Sequence, residues 1–208
     1  GGLYCGGVVL GVAFAIGFFT AGINQAFGIF VKPMTDAYGW SRADISLAVS
    51  ILAVMSAMAP PLAGRVSDRF GPRLVLTIGV ALNALGMILM SQVDSLLKLY
   101  LIYGVLIGMG FGFTGFAAIA GLLSQWFIRQ RGLAMSISAT GLGIGQLILA
   151  PLMTYIIIAF SWQMAFLVMG VLSLGLIPLC FITLKRRAPA NADEPIPLAA
   201  DGSPGKEA

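Results

Sequence analysis

Six long apolar stretches, joined by short polar turns, constrain this chain more than any other feature of its sequence. They occupy residues 7–31, 45–64, 74–91, 99–124, 132–158 and 163–184. A helix needs about 20 apolar residues to cross the hydrocarbon core of a bilayer. The stretches lack the two-residue alternation of polarity that marks membrane β-strands. The sequence therefore predicts an all-α integral membrane protein with six transmembrane helices.

The charged residues predict how these helices are oriented. Eight Lys and Arg residues lie in one set of alternate flanks, at 65–73, 125–131 and 185–187. The opposite flanks hold only three, Lys32, Arg42 and Lys98. Because cytoplasmic loops carry the excess of Lys and Arg, we expect the first set and both chain ends on the cytoplasmic side. The basic residues fit this topology signal better than a nucleic-acid surface, so we expect the lipid bilayer as a partner and no nucleic acid.

Residues that could support metal or acid–base chemistry are scarce. The chain has no His, and its two cysteines, Cys5 and Cys180, lie far apart within apolar stretches. No Asp, Glu, Lys or Arg lies inside the six stretches. A zinc site needs clustered Cys or His ligands, and an embedded enzyme needs ionisable groups. We therefore expect no metal, no cofactor and no enzymatic activity.

The turn at 64–73 concentrates charge between two uncharged stretches. We expect Gly64 to let the preceding helix end close against a neighbour, and Asp68 to cap the positive N-terminus of the next helix. Gly71 is expected to supply a positive φ before Pro72 begins that helix. A similar pair at 41 and 44, Ser41 with Asp44, predicts a capping box for the second helix.

The spacing G-x-x-x-D-R-x-G-x-R in this turn resembles the signature loop of the major facilitator superfamily of transporters. The resemblance implies a gating role for Gly64, Asp68, Arg69, Gly71 and Arg73, with acidic or carbonyl partners for the arginines. Pro72 departs from the commonest version, which has a basic residue there. The segments 38–46, 126–134 and 141–145 resemble the oxalate/formate antiporter and monocarboxylate porter branch of the superfamily.

The superfamily fold implies how the chain is organised. A complete transporter has two six-helix halves, each built from two inverted three-helix repeats. Residues 1–184 look like the N-terminal half, and the missing C-terminal half is then an expected partner. Residues 188–208 are rich in Ala, Pro and charged residues and cannot form a packed core, so 185–208 is predicted to be a disordered cytoplasmic linker. Whether the chain is a fragment or a natural half-size protein stays open.

Uncharged polar residues near the middle of the apolar stretches are the candidates for substrate binding. They are Thr20, Asn24, Gln25, Tyr103, Thr114 and Gln146. For the three amides, hydrogen bonding between helices is an equal alternative, and Tyr103 can also be read as an interfacial anchor. The absence of an embedded cation predicts that the positive charge for an anion comes from the missing half.

Glycines recur at helical spacing in the fourth and fifth stretches. We interpret them as helix-packing residues, because small residues let helix backbones approach closely. They are Gly104, Gly108, Gly112, Gly141 and Gly145.

The function that these features favour is secondary active transport of small organic anions, mono- or dicarboxylates, by alternating access. The alternatives are an exporter of drugs or neutral metabolites within the same superfamily, and a non-transporting membrane sensor or scaffold. We expect the protein in the cytoplasmic (inner) membrane of a bacterium.

Overall fold

The computed structural model describes residues 2–126 and 131–183, and every regular element in these ranges is a helix. The elements in chain order are α1 (Gly2–Tyr38), α2 (Arg42–Phe70), α3 (Pro72–Met90), α4 (Leu96–Leu99), a π-helix (Tyr100–Ile107), α5 (Gly108–Thr114), α6 (Phe116–Trp126), α7 (Arg131–Ala159) and α8 (Trp162–Thr183). The predicted linker 185–208 lies outside the described residues.

Four helical runs in the described ranges are long and apolar enough to cross a membrane. They are Arg42–Phe70, Pro72–Met90, Leu96–Ser124 and Gly132–Ala159. Two shorter apolar stretches, Val9–Thr20 and Trp162–Pro178, lie within α1 and α8. The all-helical class with membrane-capable helices is confirmed, whereas the arrangement of six spans as two repeats stays a prediction.

The α2–α3 connection is much shorter than the sequence predicts. α2 continues through Gly64 and Asp68 to Phe70, because it accommodates Pro60 and Pro61 and the next proline is Pro72, after the helix has ended at Phe70. The expectation that Gly64 ends the helix is wrong, and a Cβ added there would meet no described atom within 4 Å. The expectation that Asp68 caps α3 is also wrong, since no side chain caps that helix.

Gly71 alone joins the two helices. Its φ of 88° is the positive value expected from the sequence, and its N–H donates to the carbonyl of Ser67 at 2.8 Å. Pro72 follows as the first residue of α3, where its missing N–H costs nothing. A β-carbon at position 71 would strain this conformation, because L-residues rarely adopt positive φ.

The capping box at the start of α2 is present as predicted. The Asp44 N–H donates to Ser41 Oγ at 3.1 Å, and the Ser41 N–H donates to Asp44 Oδ2 at 3.1 Å. These two bonds satisfy backbone donors that the helix itself leaves unpaired. The start of α2 is therefore fixed by local sequence.

The fourth apolar stretch is not one regular helix. We use "fourth segment" for α4, the π-helix, α5 and α6 together, residues 96–126. The π-helix occupies Tyr100–Ile107, and Gly115 interrupts the helix between α5 and α6 with φ −60° and ψ 167°. Irregular backbone at membrane depth requires enclosure by protein or water, so this segment is expected to lie inside the bundle.

Three helix contacts dominate the packing. α1 packs along α7, α3 packs along α8, and α2 packs against the π-helix and α5. α3 also lies against α5, so the fourth segment is enclosed on two sides. Near the α1–α2 turn, Tyr38 stacks on Trp40 with ring centroids 4.6 Å apart, and its hydroxyl donates to the Val93 carbonyl at 2.9 Å. This contact joins the α1–α2 turn to the α3–α4 turn.

Candidate functional site

Three glycines of the fourth segment, Gly104, Gly108 and Gly112, lie against α2. A Cβ added at Gly104 would lie 2.6 Å from Ile51 Cγ2, and one added at Gly108 would lie 2.9 Å from Met55 Cβ. At Gly112 an added Cβ would meet Ala59 and would lie 2.9 Å from the Ser56 carbonyl oxygen. A larger residue at any of the three positions would therefore push the two helices apart.

Two glycines of α7 form the equivalent contact with α1. An added Cβ at Gly141 would lie 2.8 Å from the Phe14 carbonyl oxygen. At Gly145 it would lie 2.8 Å from Phe18 Cα and would also meet the Phe18 carbonyl group. In both places the obstruction is backbone, which cannot rotate away. The five glycines selected from the sequence thus lie at close helix contacts.

Two of the proposed substrate residues are enclosed within this chain. Tyr103 is 1% exposed and stacks on Phe27, with ring centroids 3.8 Å apart. Thr114 is also 1% exposed, and its hydroxyl donates to the Gly110 carbonyl at 2.9 Å. Neither side chain faces an open cavity in this conformation. The sequence analysis expected both to be available to a substrate and did not predict this burial.

The other candidates on α1 and α7 are more accessible. Thr20 and Gln146 are half-buried. Asn24 and Gln25 lie within α1, but their side chains fall outside the described part of the structure. The six candidates therefore do not form one site within the described structure.

A buried asparagine that the sequence analysis did not select lies at the centre of α3. Asn83 is 4% exposed, and its Nδ2 donates to Thr114 Oγ1 at 3.3 Å. Glycines make room on both sides, because a Cβ at Gly110 would lie 2.8 Å from Asn83 Cγ and one at Gly79 would lie 2.7 Å from Thr114 Cγ2. The signal was present in the sequence, since a lone amide within an apolar stretch is costly without a partner.

A small, mostly apolar cavity adjoins Asn83. Its volume is about 10 Å³, and its lining includes Thr20 of α1, Asn83 of α3 and Ser173 of α8. Ser173 is 2% exposed. Among the described residues, Asn83 Oδ1 and Ser173 Oγ have no hydrogen-bond partner.

A larger cleft lies beside the α2–α3 connection. It has a volume of about 310 Å³, and Gly64, Ser67, Asp68, Gly112 and Ser124 belong to its lining. The Asp68 side chain is exposed and makes no hydrogen bond or ion pair with another described residue. Arg69 is exposed and places its guanidinium carbon 5.4 Å from the Phe70 ring centroid, whereas Arg73 is half-buried. The described residues contain no cluster of metal-ligating side chains.

Comparison with known proteins identifies the family. The sequence profile of the Major Facilitator Superfamily matches residues 13–204. The chain belongs to the Major Facilitator Superfamily. With its apolar helices, this membership makes it an integral membrane protein.

Among its superfamily relatives are several monocarboxylate transporters. Monocarboxylate transporter 11 of Mus musculus is 32% identical over 199 residues, which are 96% of this chain and 42% of the relative. Monocarboxylate transporter 13 of Bos taurus is 34% identical over 189 residues, 89% of this chain and 42% of the relative. Monocarboxylate transporter 7 of Homo sapiens is 30% identical over 164 residues, 79% of this chain and 31% of the relative. The chain thus spans less than half the length of these curated relatives.

Proposed function

We propose that this chain forms the first half of a secondary active transporter of small organic anions, mono- or dicarboxylates, that works by alternating access. The observation that carries the proposal is its similarity to proteins named monocarboxylate transporters over almost its whole length. The superfamily points to a transporter rather than an enzyme. The comparisons favour neither the drug exporter nor the sensor or scaffold.

Two apolar helices, α2 and α7, are largely exposed in this chain. Only 22% of the most apolar stretch of α2 and 17% of that of α7 is buried, compared with 56% for α3. Leu147 on α7 and Met58 on α2 are 76% and 61% exposed. We propose that the missing C-terminal half covers part of these faces and that lipid covers the rest. The relatives have ample length for such a half.

The packing pattern supports two inverted three-helix repeats. If α1, α2 and α3 correspond to the fourth segment, α7 and α8, the contact of α1 with α7 corresponds to that of the fourth segment with α2. The repeats exchange α3 and α8, so the contact between these two helices is its own counterpart. These three contacts are among the most extensive of the structure. Such a pattern is expected when two repeats are related by a pseudo-two-fold axis.

The substrate site in this proposal has a neutral wall on this half. The anion would be oriented by Thr20, Asn24, Gln25 and Gln146. The buried Tyr103 and Thr114 would support these residues by packing. A carboxylate without a cationic partner pays a large desolvation cost. The second half is therefore proposed to supply an Arg or Lys.

The α2–α3 connection is proposed as the gate. Gly64, Asp68, Arg69, Gly71 and Arg73 lie at or beside the 310 Å³ cleft. A contact made in only one conformation shifts the balance between conformations by its own energy. Asp68→Asn and Arg73→Ala are expected to slow transport by the full-length protein more than they lower its abundance in the membrane. Unchanged rates in both variants would contradict this role.

Uptake into proteoliposomes tests the function. The full-length protein should accumulate labelled lactate, formate or oxalate with saturation, and residues 1–208 alone should not. An uncharged solute of similar size is the control for leakage. Uptake of neutral compounds instead would favour the exporter, and no uptake of any solute would favour the sensor or scaffold. Saturable anion uptake by residues 1–208 would refute the need for a second half.

Topology is tested separately. Both ends of the chain and the α2–α3 connection are proposed to be cytoplasmic, as the distribution of Lys and Arg predicts. Single cysteines at Ser67 and Ala190, in a background without the native cysteines, should resist an impermeant thiol reagent in intact cells. Labelling from outside would reverse the orientation. The bacterial inner membrane stays a prediction, because the relatives named above are animal proteins.

A further inference from the structure

We propose that the small cavity between α1, α3 and α8 is a binding site for one structural water molecule, which links the two three-helix repeats. The site meets the proposed substrate wall at Thr20 but takes a different ligand, so the inference goes beyond the transport proposal. It rests on two observations, a cavity and two unpartnered buried oxygen atoms that belong to its lining.

The size of the cavity selects a very small ligand. A cavity of about 10 Å³ holds about one water molecule and nothing larger. Ile16, Phe19, Val80 and Leu176 complete its lining, and Thr20, Asn83 and Ser173 are its polar residues. Buried waters typically have two to four polar partners. Three polar side chains at one cavity meet this requirement.

The hydrogen-bonding capacity around the cavity matches water. Asn83 Nδ2 donates one bond to Thr114, which leaves Asn83 Oδ1 as an acceptor. Ser173 Oγ can donate or accept. A water molecule would donate to Asn83 Oδ1 and exchange a bond with Ser173, removing the cost of two unsatisfied buried groups.

A monovalent cation fits the site less well than water. The polar lining consists of one amide and two hydroxyl groups, with no carboxylate among the described residues of the cavity. A buried cation without an anionic partner carries a large desolvation penalty. The geometry therefore favours a neutral ligand.

The position of the polar residues places this water at the junction of the repeats. Asn83 is the twelfth residue of α3, Pro72–Met90, and Ser173 is the twelfth residue of α8, Trp162–Thr183. Thr20 and Thr114 each follow a phenylalanine in the first and fourth apolar stretches. Under the proposed repeats, Asn83 of α3 corresponds to Ser173 of α8, and Thr20 of α1 corresponds to Thr114 of the fourth segment. The water then lies near the pseudo-two-fold axis.

Hydroxyl-radical footprinting of the full-length protein in lipid nanodiscs, with ¹⁸O-labelled water, tests the proposal. A bound water is a local source of radicals, so Val80 and Leu176 should be oxidised although both are buried. Leu123 is the internal control, because it is 0% exposed and does not line the cavity. Oxidation of Val80 and Leu176 no greater than that of Leu123 would overturn the proposal.

Two variants make the test specific. Ser173→Ala should reduce oxidation of Val80 and Leu176 about fivefold, the effect of losing one ordinary hydrogen bond, and Asn83→Leu should abolish it. Ser138→Ala is the matched control, since this buried hydroxyl on α7 does not line the cavity. If Asn83→Leu fails to fold, Ser173→Ala alone decides. Unchanged labelling in Ser173→Ala, or labelling that sodium suppresses, would refute a structural water.

The transport assay separates this inference from the proposed function. Loss of the footprint with normal anion uptake would refute only the water site. A normal footprint in a protein that transports no anion would refute only the transport proposal.

Discussion

α3 and α7 are both apolar enough to span a membrane, yet they differ in how much of their surface is buried within this chain. Over half of the apolar stretch of α3 is buried, 56%, whereas 17% of that of α7 is buried. α3 contacts α8, α5 and the π-helix, while α7 packs mainly on α1. Hydropathy therefore indicates that a helix enters the membrane but not which faces contact protein. Small and polar residues carry that information, because lipid competes equally well for apolar side chains.

The largest expected loss of stability distinguishes the face of α7 that packs on α1 from its exposed face. Gly145→Ala should destabilise the full-length protein by about 3 kcal/mol, the upper part of the range for overpacking, because the new Cβ meets the backbone of Phe18. Gly143→Ala is the control, since a Cβ there meets no described atom within 4 Å. Thermal midpoints measured by fluorescence-detected size exclusion compare the variants. Equal midpoints would mean that α1 and α7 do not pack as described.

A leucine pair extends the comparison between buried and exposed positions. Leu123→Ala should cost about 2 kcal/mol, the low end for such changes, because in a bilayer mainly the loss of packing contributes. Leu147→Ala should cost less, since Leu147 is 76% exposed and Leu123 is 0% exposed. The same thermal assay measures both. A greater loss at Leu147 would show that Leu147 is packed against protein in the full-length molecule and not against lipid.

Near the α2–α3 connection, substitution by Ala is expected to change stability in opposite directions at two glycines of the same motif. Gly71→Ala should destabilise by about 1–2 kcal/mol, because φ is 88° there. Gly64→Ala should be neutral or stabilising by up to about 1 kcal/mol, since Gly64 is exposed within α2. Denaturant unfolding of the purified variants measures the difference. Destabilisation by both substitutions would mean that α2 ends near Gly64, as the sequence first suggests.

The sequence predicted the membrane class and the local signals well. Gly71, Pro72 and the Ser41–Asp44 capping box behave as expected because each acts through its immediate neighbours. Gly64 and Asp68 were misread because a charged turn was assumed where helix α2 continues. Nor did periodicity reveal the π-helix or the interruption at Gly115, which depend on tertiary packing.

The candidate site was only partly accessible from sequence. Thr114 was selected for its polarity, but its surroundings depend on a partner 31 residues away, Asn83. Ser173 and Asn83 come together only because α3 packs on α8. A rule that examined every buried amide in an apolar stretch would have found Asn83. Pairing it with Ser173 requires the helix bounds, which make each the twelfth residue of its helix.

A smaller effect is expected at the start of α2, where the exposed face begins. Asp44→Ala removes the carboxylate that accepts from the Ser41 backbone and hydroxyl groups. The expected cost is about 1 kcal/mol, typical of a lost helix cap. Asp36→Ala, at an acidic position near the end of α1, serves as the control for loss of charge alone. Equal effects of the two substitutions on the denaturation midpoint would argue against the cap.

The smallest effect is expected at Asp94, in the turn between α3 and α4. Lys98 Nζ lies 2.7 Å from both carboxylate oxygens of Asp94, and this hydrogen bond holds the pKa of the Asp94 carboxyl below its usual value. Both side chains are more than half exposed, at 51% and 64%, so solvent and salt screen the pair. We expect Asp94→Asn to leave the thermal midpoint nearly unchanged at neutral pH.

The thermal midpoints of wild type and Asp94→Asn, compared at several pH values, show whether the Asp94–Lys98 pair stabilises the fold. A carboxyl whose pKa is lowered in the folded state contributes stability above its unfolded pKa and loses it as the pH falls through the folded pKa. The small midpoint difference between wild type and Asp94→Asn should therefore vanish in acid, and added salt should also shrink it at neutral pH. A difference that persists in acid and in high salt would contradict an exposed ion pair. It would instead place Asp94 in a contact with the proposed second half, which would extend the proposed interface beyond the exposed faces of α2 and α7.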